Sequence, residues 1–189
     1  EAVGGITING VLNVVRWKYV DVEQMTFLRG GVIESDSSYI NIRRSGFRGG
    51  ISTARSSYIT KEDVWAWGDD RYVISNYDSH HIIDNRVIAR LDDTGATETL
   101  PVGAISHYLT DYSVIANALL FDVSGSFSQP YDLVLSSRPA VGFNKIYGVI
   151  GFNAGPDLGG IYPGDGGGGG HEVKNSVIWG TNRRGVRFN

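Results

Sequence analysis

The chain contains 189 residues with a formal net charge of −3 and a pI of about 5.8, so it carries no overall basic field that would attract nucleic acid or an anionic membrane. It contains no cysteine, which excludes disulfides, thiolate metal sites and a cysteine nucleophile. No apolar run approaches the length needed to span a bilayer, and the 26 glycines suit a fold that turns every few residues.

Short repeats begin in the first third of the chain and recur at nearly regular intervals. Each repeat starts with a polar residue and ends with an apolar anchor. The best copies are residues 37–40 (Ser-Ser-Tyr-Ile), 56–59 (Ser-Ser-Tyr-Ile), 79–82 (Ser-His-His-Ile) and 106–109 (Ser-His-Tyr-Leu). Their anchors are separated by 19, 23 and 27 residues, which is a spacing typical of solenoids. Weaker copies at residues 17–20, 144–146 and 171–173 extend the series, so we expect seven or eight rungs.

A polar turn and a second apolar pair follow each anchor, most clearly in residues 82–88 and 109–115. Runs rich in Val, Ile, Tyr and Thr between Gly, Asn, Asp and Ser favour strands, and no segment shows a sustained helical period. Residues 79–88 (Ser-His-His-Ile-Ile-Asp-Asn-Arg-Val-Ile) resemble the repeats of the right-handed parallel β-helix superfamily, the pectate-lyase-like solenoids. The resemblance covers roughly residues 17–187 and implies an all-β, right-handed parallel β-helix.

The domain organisation expected from this pattern is a single β-helix over residues 1–189. Inserted loops are expected near residues 92–103, 122–142 and 155–170, with an extra strand at residues 133–135. Position 1 is glutamate rather than methionine, and strand patterns continue to both termini without a capping helix. We therefore expect that the chain is a segment of a longer chain or that it stacks on another copy.

The residues that precede the anchors form a predicted outward column, because side chains alternate across a strand and stacked strands lie about 4.8 Å apart. Its aromatic members are Tyr19, Tyr39, Tyr58, His81 and Tyr108. In one interpretation these rings only stabilise successive rungs, by about 0.2–1 kcal/mol per pair. In the other they form a surface on which sugar rings or another subunit bind. We take this column as the candidate ligand-binding face.

The histidines all fall in repeat segments, with His80 and His107 expected in one column on neighbouring rungs. Two imidazoles at that spacing could share a metal ion. The repeat fixes no carboxylate beside them, so the ligand set is incomplete. We therefore predict no metal site.

Lys61, Asp84 and Asp111 are expected on three successive rungs, two residues beyond their anchors. Strict alternation points these side chains into the core, so either the strand has already turned there or the charges pair with one another. The resemblance to superfamily lyases implies a Lys or Arg base beside acidic groups that hold calcium or neutralise the substrate. The residues available for those roles are Lys61, Asp84, Arg86 and Asp111. A simple salt-bridge ladder is the other interpretation, since nearby carboxylates oppose the lowered pKa that a lysine base needs.

Enzymatic activity stays open because no diagnostic catalytic motif is present. We expect an extracellular or cell-surface structural or binding element of a fibre or surface protein. Its expected partners are polysaccharide or neighbouring protein subunits, with end-to-end self-association, and no nucleic acid and no membrane span. The alternative is a polysaccharide lyase or related carbohydrate-active enzyme acting on an acidic glycan. Calcium is the cofactor expected in that case, and no cofactor otherwise.

Overall fold

The polypeptide winds into a parallel β-solenoid. The computed structural model describes residues 5–68, 72–91, 103–122, 131–135, 143–153, 158–162, 170 and 172–179. Every regular element in these residues is a short strand. The strands are, in chain order, β1 (Ile6–Ile8), β2 (Leu12–Val15), β3 (Lys18–Glu23), β4 (Met25–Phe27), β5 (Gly31–Glu34), β6 (Ser38–Arg43), β7 (Gly46–Arg48), β8 (Ile51–Ala54), β9 (Ser57–Glu62), β10 (Trp65–Gly68), β11 (Tyr72–Tyr77), β12 (His80–Asn85), β13 (Ile88–Leu91), β14 (Gly103–Tyr108), β15 (Val114–Ala116), β16 (Leu119–Asp122), β17 (Tyr131–Leu135), β18 (Lys145–Tyr147), β19 (Ile150–Asn153), β20 (Leu158–Tyr162), β21 (Glu172–Lys174) and β22 (Val177–Trp179).

Every third strand belongs to the same sheet, so the solenoid has three faces. Among the described strands, the first sheet has the order β1-β4-β7-β10-β13-β16-β19-β22, the second β2-β5-β8-β11-β14-β17-β20, and the third β3-β6-β9-β12-β15-β18-β21. Neighbouring strands pair in parallel, with equivalent residues of successive turns in register. Each turn of the chain therefore adds one strand to each face.

The predicted fold class, an all-β parallel solenoid, is confirmed. About five turns, β1 to β15, have side chains described on all three faces, a count slightly different from the seven or eight rungs expected. The right-handed coil and membership of the pectate-lyase-like superfamily stay predictions. The extent of the single domain, residues 1–189, also stays a prediction.

Stacked branched side chains fill the interior. On the third sheet Ile40, Ile59 and Ile82 lie in register on β6, β9 and β12, and each is fully buried. β-branched residues pack well on a pleated surface, so a column of isoleucines forms a continuous buried row. The prediction that these anchors fill the core is confirmed.

Buried serines mark the corner between the second and third sheets. The Ser79 hydroxyl donates to the carbonyl of Tyr77 and accepts the amide hydrogen of Ser56 one turn earlier. The Ser56 hydroxyl donates to the carbonyl of Ala54 in the same way. A small hydroxyl side chain satisfies backbone groups where the ladder bends, which explains why these repeats begin with serine.

A glycine is required where an aromatic ring crosses the first sheet. Gly46 on β7 lies beside Trp65 on β10, and a Cβ atom built on Gly46 would lie 1.9 Å from the indole ring. No side chain fits there unless the indole moves. The absent Cβ therefore lets Trp65 lie flat against the neighbouring strand.

Two of the predicted inserted loops contain regular strands. β17 lies within residues 122–142, where an extra strand was predicted, and it pairs with β14 and β20 in the second sheet. β20 lies within residues 155–170. Residues 92–102, 123–130, 136–142, 154–157 and 163–169 lie outside the described residues.

Candidate functional site

The most prominent surface feature is an outward column of stacked rings, which we call the aromatic ladder. Its members are Tyr19, Tyr39, Tyr58, His81, Tyr112 and Phe143. Successive ring centroids are 5.0, 4.8, 4.6, 5.3 and 5.4 Å apart, with interplanar angles between 1° and 21°. These separations match those of favourable offset stacks, each worth about 0.5–1.5 kcal/mol beyond the area that it buries. The ladder is therefore a continuous stabilising element along the third face.

Every ladder residue has a left-handed backbone. The φ angles are 58° at Tyr19, 57° at Tyr39, 57° at Tyr58, 56° at His81, 52° at Tyr112 and 61° at Phe143. This conformation costs a non-glycine residue roughly 1–2 kcal/mol. It recurs in register on successive turns, so the same local kink carries each ring to the same place. The stacking contacts offset the backbone cost.

The ladder exposes ring edges rather than ring faces. Tyr39, Tyr58 and Tyr112 are 43%, 45% and 46% exposed. Because the rings lie nearly parallel, the faces of the inner members cover one another. Tyr19 at the end of the column is 76% exposed and has one face against Tyr39. A partner therefore meets a ridge of ring edges and phenol hydroxyls.

The expected place of Tyr108 in this column is wrong. Tyr108 ends β14 on the second sheet, in register with Tyr77, and the two rings stack 5.9 Å apart. The ladder position on that turn belongs to Tyr112, next to Asp111, which bridges to His80. Residues 106–109 resemble the repeat because β14 also has a serine two residues before an aromatic residue, as its register partner β11 has in Ser75 and Tyr77. The placement of Tyr19, Tyr39, Tyr58 and His81 in one outward column is confirmed.

A second feature, which we call the interior polar cluster, lies between the second and third sheets. It consists of Lys61, Asn76, Asp84 and His107, each at most 1% exposed. Lys61 Nζ donates to Asn76 Oδ1 at 2.7 Å and to Asp84 Oδ1 at 3.1 Å. Asp84 Oδ2 also accepts a hydrogen bond from Asn76 Nδ2 at 2.9 Å and lies 2.7 Å from His107 Nε2. The inward direction predicted for Lys61 and Asp84 is thus observed, and the two charges pair with each other.

The environment of Asp84 favours its ionised form. Burial alone would raise the pKa of this carboxyl group, but the charge of Lys61 and the hydrogen bond and charge of His107 outweigh it. The net effect lowers the pKa of Asp84 from 3.8 to about 2. The resting state of the cluster is therefore an ion pair in which each partner is hydrogen bonded.

The two other candidate catalytic residues lie elsewhere. Arg86 is half exposed at the corner after β12, where it donates two hydrogen bonds to Asp63 at 2.6 and 2.9 Å. These hydrogen bonds lower the pKa of Asp63. Asp111 is buried, and its Oδ2 lies 3.3 Å from His80 Nδ1. The expectation that Asp111 follows Asp84 in one column is wrong, because Asp84 pairs in register with Ile115.

His80 and His107 do not share a site. His80 lies on the third sheet beside Asp111, whereas His107 points into the interior from the second sheet, in register with Asn76. The expected common column of His80 and His107 is therefore wrong. Within the described ranges, no group of three or more His, Asp or Glu side chains is arranged to hold a metal ion.

Sequence reasoning missed Asn76 and His107 as members of a site. They lie on β11 and β14, whereas Lys61 and Asp84 lie on β9 and β12 of another sheet. A repeat alignment compares residues within one column and cannot join columns of two faces. Polar residues at inward positions of the second sheet would have been the available signal.

The comparisons with known proteins assign neither a family nor a function to this chain. No family model matches the chain, and no curated protein matches it. In the part of the chain that the structure describes, no helix is long and apolar enough to cross a membrane.

Proposed function

We propose that the protein is an extracellular structural or binding element of a fibre or surface protein, with the aromatic ladder as its contact face. The observation that supports this most strongly is the ladder itself, six rings in one outward column. A row of half-exposed aromatic side chains forms a longer contiguous apolar and amphipathic surface than isolated surface residues form. Such rows occur where a partner is bound.

The chemistry of the ridge favours a linear polymer that lies along the solenoid axis. Four members of the ladder are tyrosines, whose hydroxyl groups can both donate and accept hydrogen bonds. The ring faces are covered by the stack, so a sugar hydroxyl meets a phenol edge rather than a flat platform. A polysaccharide, which offers hydroxyl groups at regular intervals, is complementary to this row.

The lyase alternative has less support from the geometry. Lys61 and Asp84 have no exposed surface, so a polymer outside the solenoid cannot reach them. Arg86 lies at an exposed corner and is engaged by Asp63 and Glu62. A general base must lie within hydrogen-bond reach of the proton that it removes, and these side chains share no accessible cleft.

A binding experiment with hydroxyl-deleted variants tests the proposal. The protein is run on native gels that contain dissolved neutral or acidic polysaccharides, and its mobility is compared with that on a gel without polysaccharide. The double variant Tyr39→Phe/Tyr58→Phe keeps the stacked rings and removes two hydroxyl groups. Tyr77→Phe, which alters an exposed tyrosine on another face, is the matched control.

We expect at least one polysaccharide to slow the wild-type protein and the Tyr77 variant, and to slow the double variant less. Equal retardation of the wild type, the double variant and the Tyr77 variant would show that binding does not depend on the ladder hydroxyl groups. This result would contradict the proposed contact face. If no polysaccharide binds, sedimentation shows whether subunits assemble through the ladder. If the ladder substitutions change neither polysaccharide binding nor assembly, the role of the ladder is limited to stabilising the fold.

A further inference from the structure

The interior polar cluster brings an amine and a primary amide into contact inside the core. Lys61 Nζ lies 2.7 Å from Asn76 Oδ1, and both side chains are 0% exposed. Since Oδ1 is joined to Cγ by a bond of about 1.2 Å, Nζ lies within about 4 Å of Cγ. This is close to the separation of roughly 3–3.5 Å at which reacting atoms meet. The potential nucleophile is therefore already next to a carbonyl carbon.

A carboxyl group bridges the same amine and amide. Asp84 accepts the Nζ hydrogen bond at Oδ1, at 3.1 Å, and the Nδ2 hydrogen bond at Oδ2, at 2.9 Å. One oxygen thus faces the group that must lose protons, and the other faces the group that must gain one. This is the arrangement that a carboxyl group needs to pass a proton from a nucleophile to a leaving group.

We propose that Lys61 and Asn76 join in the folded chain to form an intramolecular isopeptide bond, with Asp84 as the proton-transferring catalytic residue. This inference goes beyond the proposed function and does not rest on it, because it concerns the interior of the solenoid rather than its surface.

The reaction balances without an external reagent. Starting from the ion pair, one proton moves from Nζ to Asp84 Oδ1, and the neutral amine attacks Asn76 Cγ. A second Nζ proton passes through the carboxyl group to Nδ2. The Nζ–Cγ bond has then formed, the Cγ–Nδ2 bond breaks, and Nδ2 leaves as ammonia. The remaining proton stays on Asp84 or leaves with ammonia as ammonium, so no oxidant or reductant is needed.

The surroundings of the cluster favour this chemistry. Ile42 and Ile115 flank Lys61 and Asp84 in register on the third sheet, and both are buried, so bulk water does not solvate the charges. The proton that must move first therefore lies between Nζ and Asp84 Oδ1, in a site from which bulk water is excluded. The His107 ring remains hydrogen bonded to Asp84 Oδ2 when Nδ2 leaves.

An unused hydroxyl group lies in the column of the amide. Thr53, the register partner of Asn76 on β8, is 1% exposed, and its Oγ1 has no hydrogen-bond partner. A buried hydroxyl without a partner is rare and costly. The Thr53 hydroxyl is thus an uncommitted donor on the turn next to Asn76.

The bond would link two faces of the solenoid. Lys61 is on β9 of the third sheet and Asn76 on β11 of the second, 15 residues apart. The cross-link would close the chain around the intervening strand β10. A solenoid turn held in this way cannot unwind at that point without breaking a covalent bond.

Peptide mapping by mass spectrometry tests the proposal directly. Trypsin cuts an unmodified chain into peptides 56–61, 62–71 and 72–86, among others. With the bond in place, Lys61 no longer directs cleavage. We then expect peptide 56–71 joined to peptide 72–86, lighter than their sum by one ammonia molecule. The peptide that has lost ammonia must be identified, because the Asn9-Gly10 sequence can also lose ammonia by cyclising on its own backbone.

Cleavage after the exposed Lys145 is an internal control, since it should proceed normally in every sample. Asp84→Asn should abolish the branched peptide in the folded fraction collected by gel filtration, and Asp84→Glu should restore it. A wild-type map that contains peptides 56–61 and 72–86 without the branched product would overturn the proposal, whether or not a variant folds. A branched product in folded Asp84→Asn would refute the role of Asp84.

Discussion

Replacement of Tyr58 tests whether the aromatic ladder is held on left-handed backbone positions. Its ring stacks on Tyr39 at 4.8 Å and on His81 at 4.6 Å. Two contacts of about 0.5–1.5 kcal/mol each are lost in Tyr58→Ala, so we expect the free energy of unfolding to fall by about 2 kcal/mol. The alanine still adopts a φ angle of 57° and keeps the backbone cost.

Glycine at the same position relieves that cost. Tyr58→Gly should therefore be more stable than Tyr58→Ala by about 0.5–1 kcal/mol, although glycine loses more chain entropy on folding. Tyr77 is the matched control, because it is 42% exposed, stacks on a neighbouring ring and has no positive φ. There glycine should be less stable than alanine by about 0.5–1 kcal/mol.

Urea unfolding followed by circular dichroism measures these four variants. The reasoning requires the order of alanine and glycine to reverse between Tyr58 and Tyr77. If glycine is the less stable substitution at both positions, the left-handed assignment of the ladder is refuted.

Three other changes give distinct outcomes. Gly46→Ala should destabilise the fold by about 1–3 kcal/mol and alter the fluorescence of Trp65, because the new Cβ occupies the space of the indole; unchanged fluorescence and stability would contradict this packing. Arg86→Ala should leave the urea midpoint almost unchanged, since its ion pairs are exposed; a shift as large as that of Tyr58→Ala would show that this corner is more important than we infer. Asn76→Leu cannot form the cross-link but keeps Lys61 and His107, which in the unsubstituted chain outweigh the effect of burial and lower the pKa of Asp84 from 3.8 to about 2. Its ionised form therefore stabilises the fold above pH 3.8, and as the pH falls toward 2 about 2 kcal/mol should be lost. The same acid titration of Asp84→Asn/Asn76→Leu should lack this component, and equal losses in both would contradict the assignment.

The general architecture could be predicted from the sequence because the repeat consists of residue types with clear physical roles. Isoleucine at positions 40, 59 and 82 fills the core, and serine at positions 37, 56 and 79 satisfies the backbone at the corner. These residues return at a nearly constant interval, which few other folds produce. The inward pairing of Lys61 with Asp84 was one of two arrangements that alternation along the strand and the cost of an isolated buried charge allowed, the other being a strand that had already turned.

The fifth rung of the ladder could not be placed in the same way. Tyr108 and Tyr112 both follow polar residues, and only the backbone angle distinguishes the ladder position. At the next corner Asn117 aligns with Arg86 and has a φ angle of 51°. Asparagine adopts the left-handed conformation more readily than most residues, so Asn117 was the sequence signal available at that corner. The variable length of the turns hid that register.

The contacts of Asn76 and His107 with Asp84 could not be predicted from the sequence, for a different reason. Asn76 and His107 are brought to Asp84 by the angle between two sheets, and no spacing along the chain encodes that angle. An inward asparagine next to a strand with an inward lysine becomes visible only when the faces are assembled.

The claim that the ladder is a contact face is tested most directly by dissociation constants for the polysaccharide that slows the wild-type protein most. Two phenol hydrogen bonds worth about 0.5–1.5 kcal/mol each should make binding by Tyr39→Phe/Tyr58→Phe about 5- to 150-fold weaker. Tyr77→Phe should bind like the wild type. Equal dissociation constants for all three proteins would contradict the account.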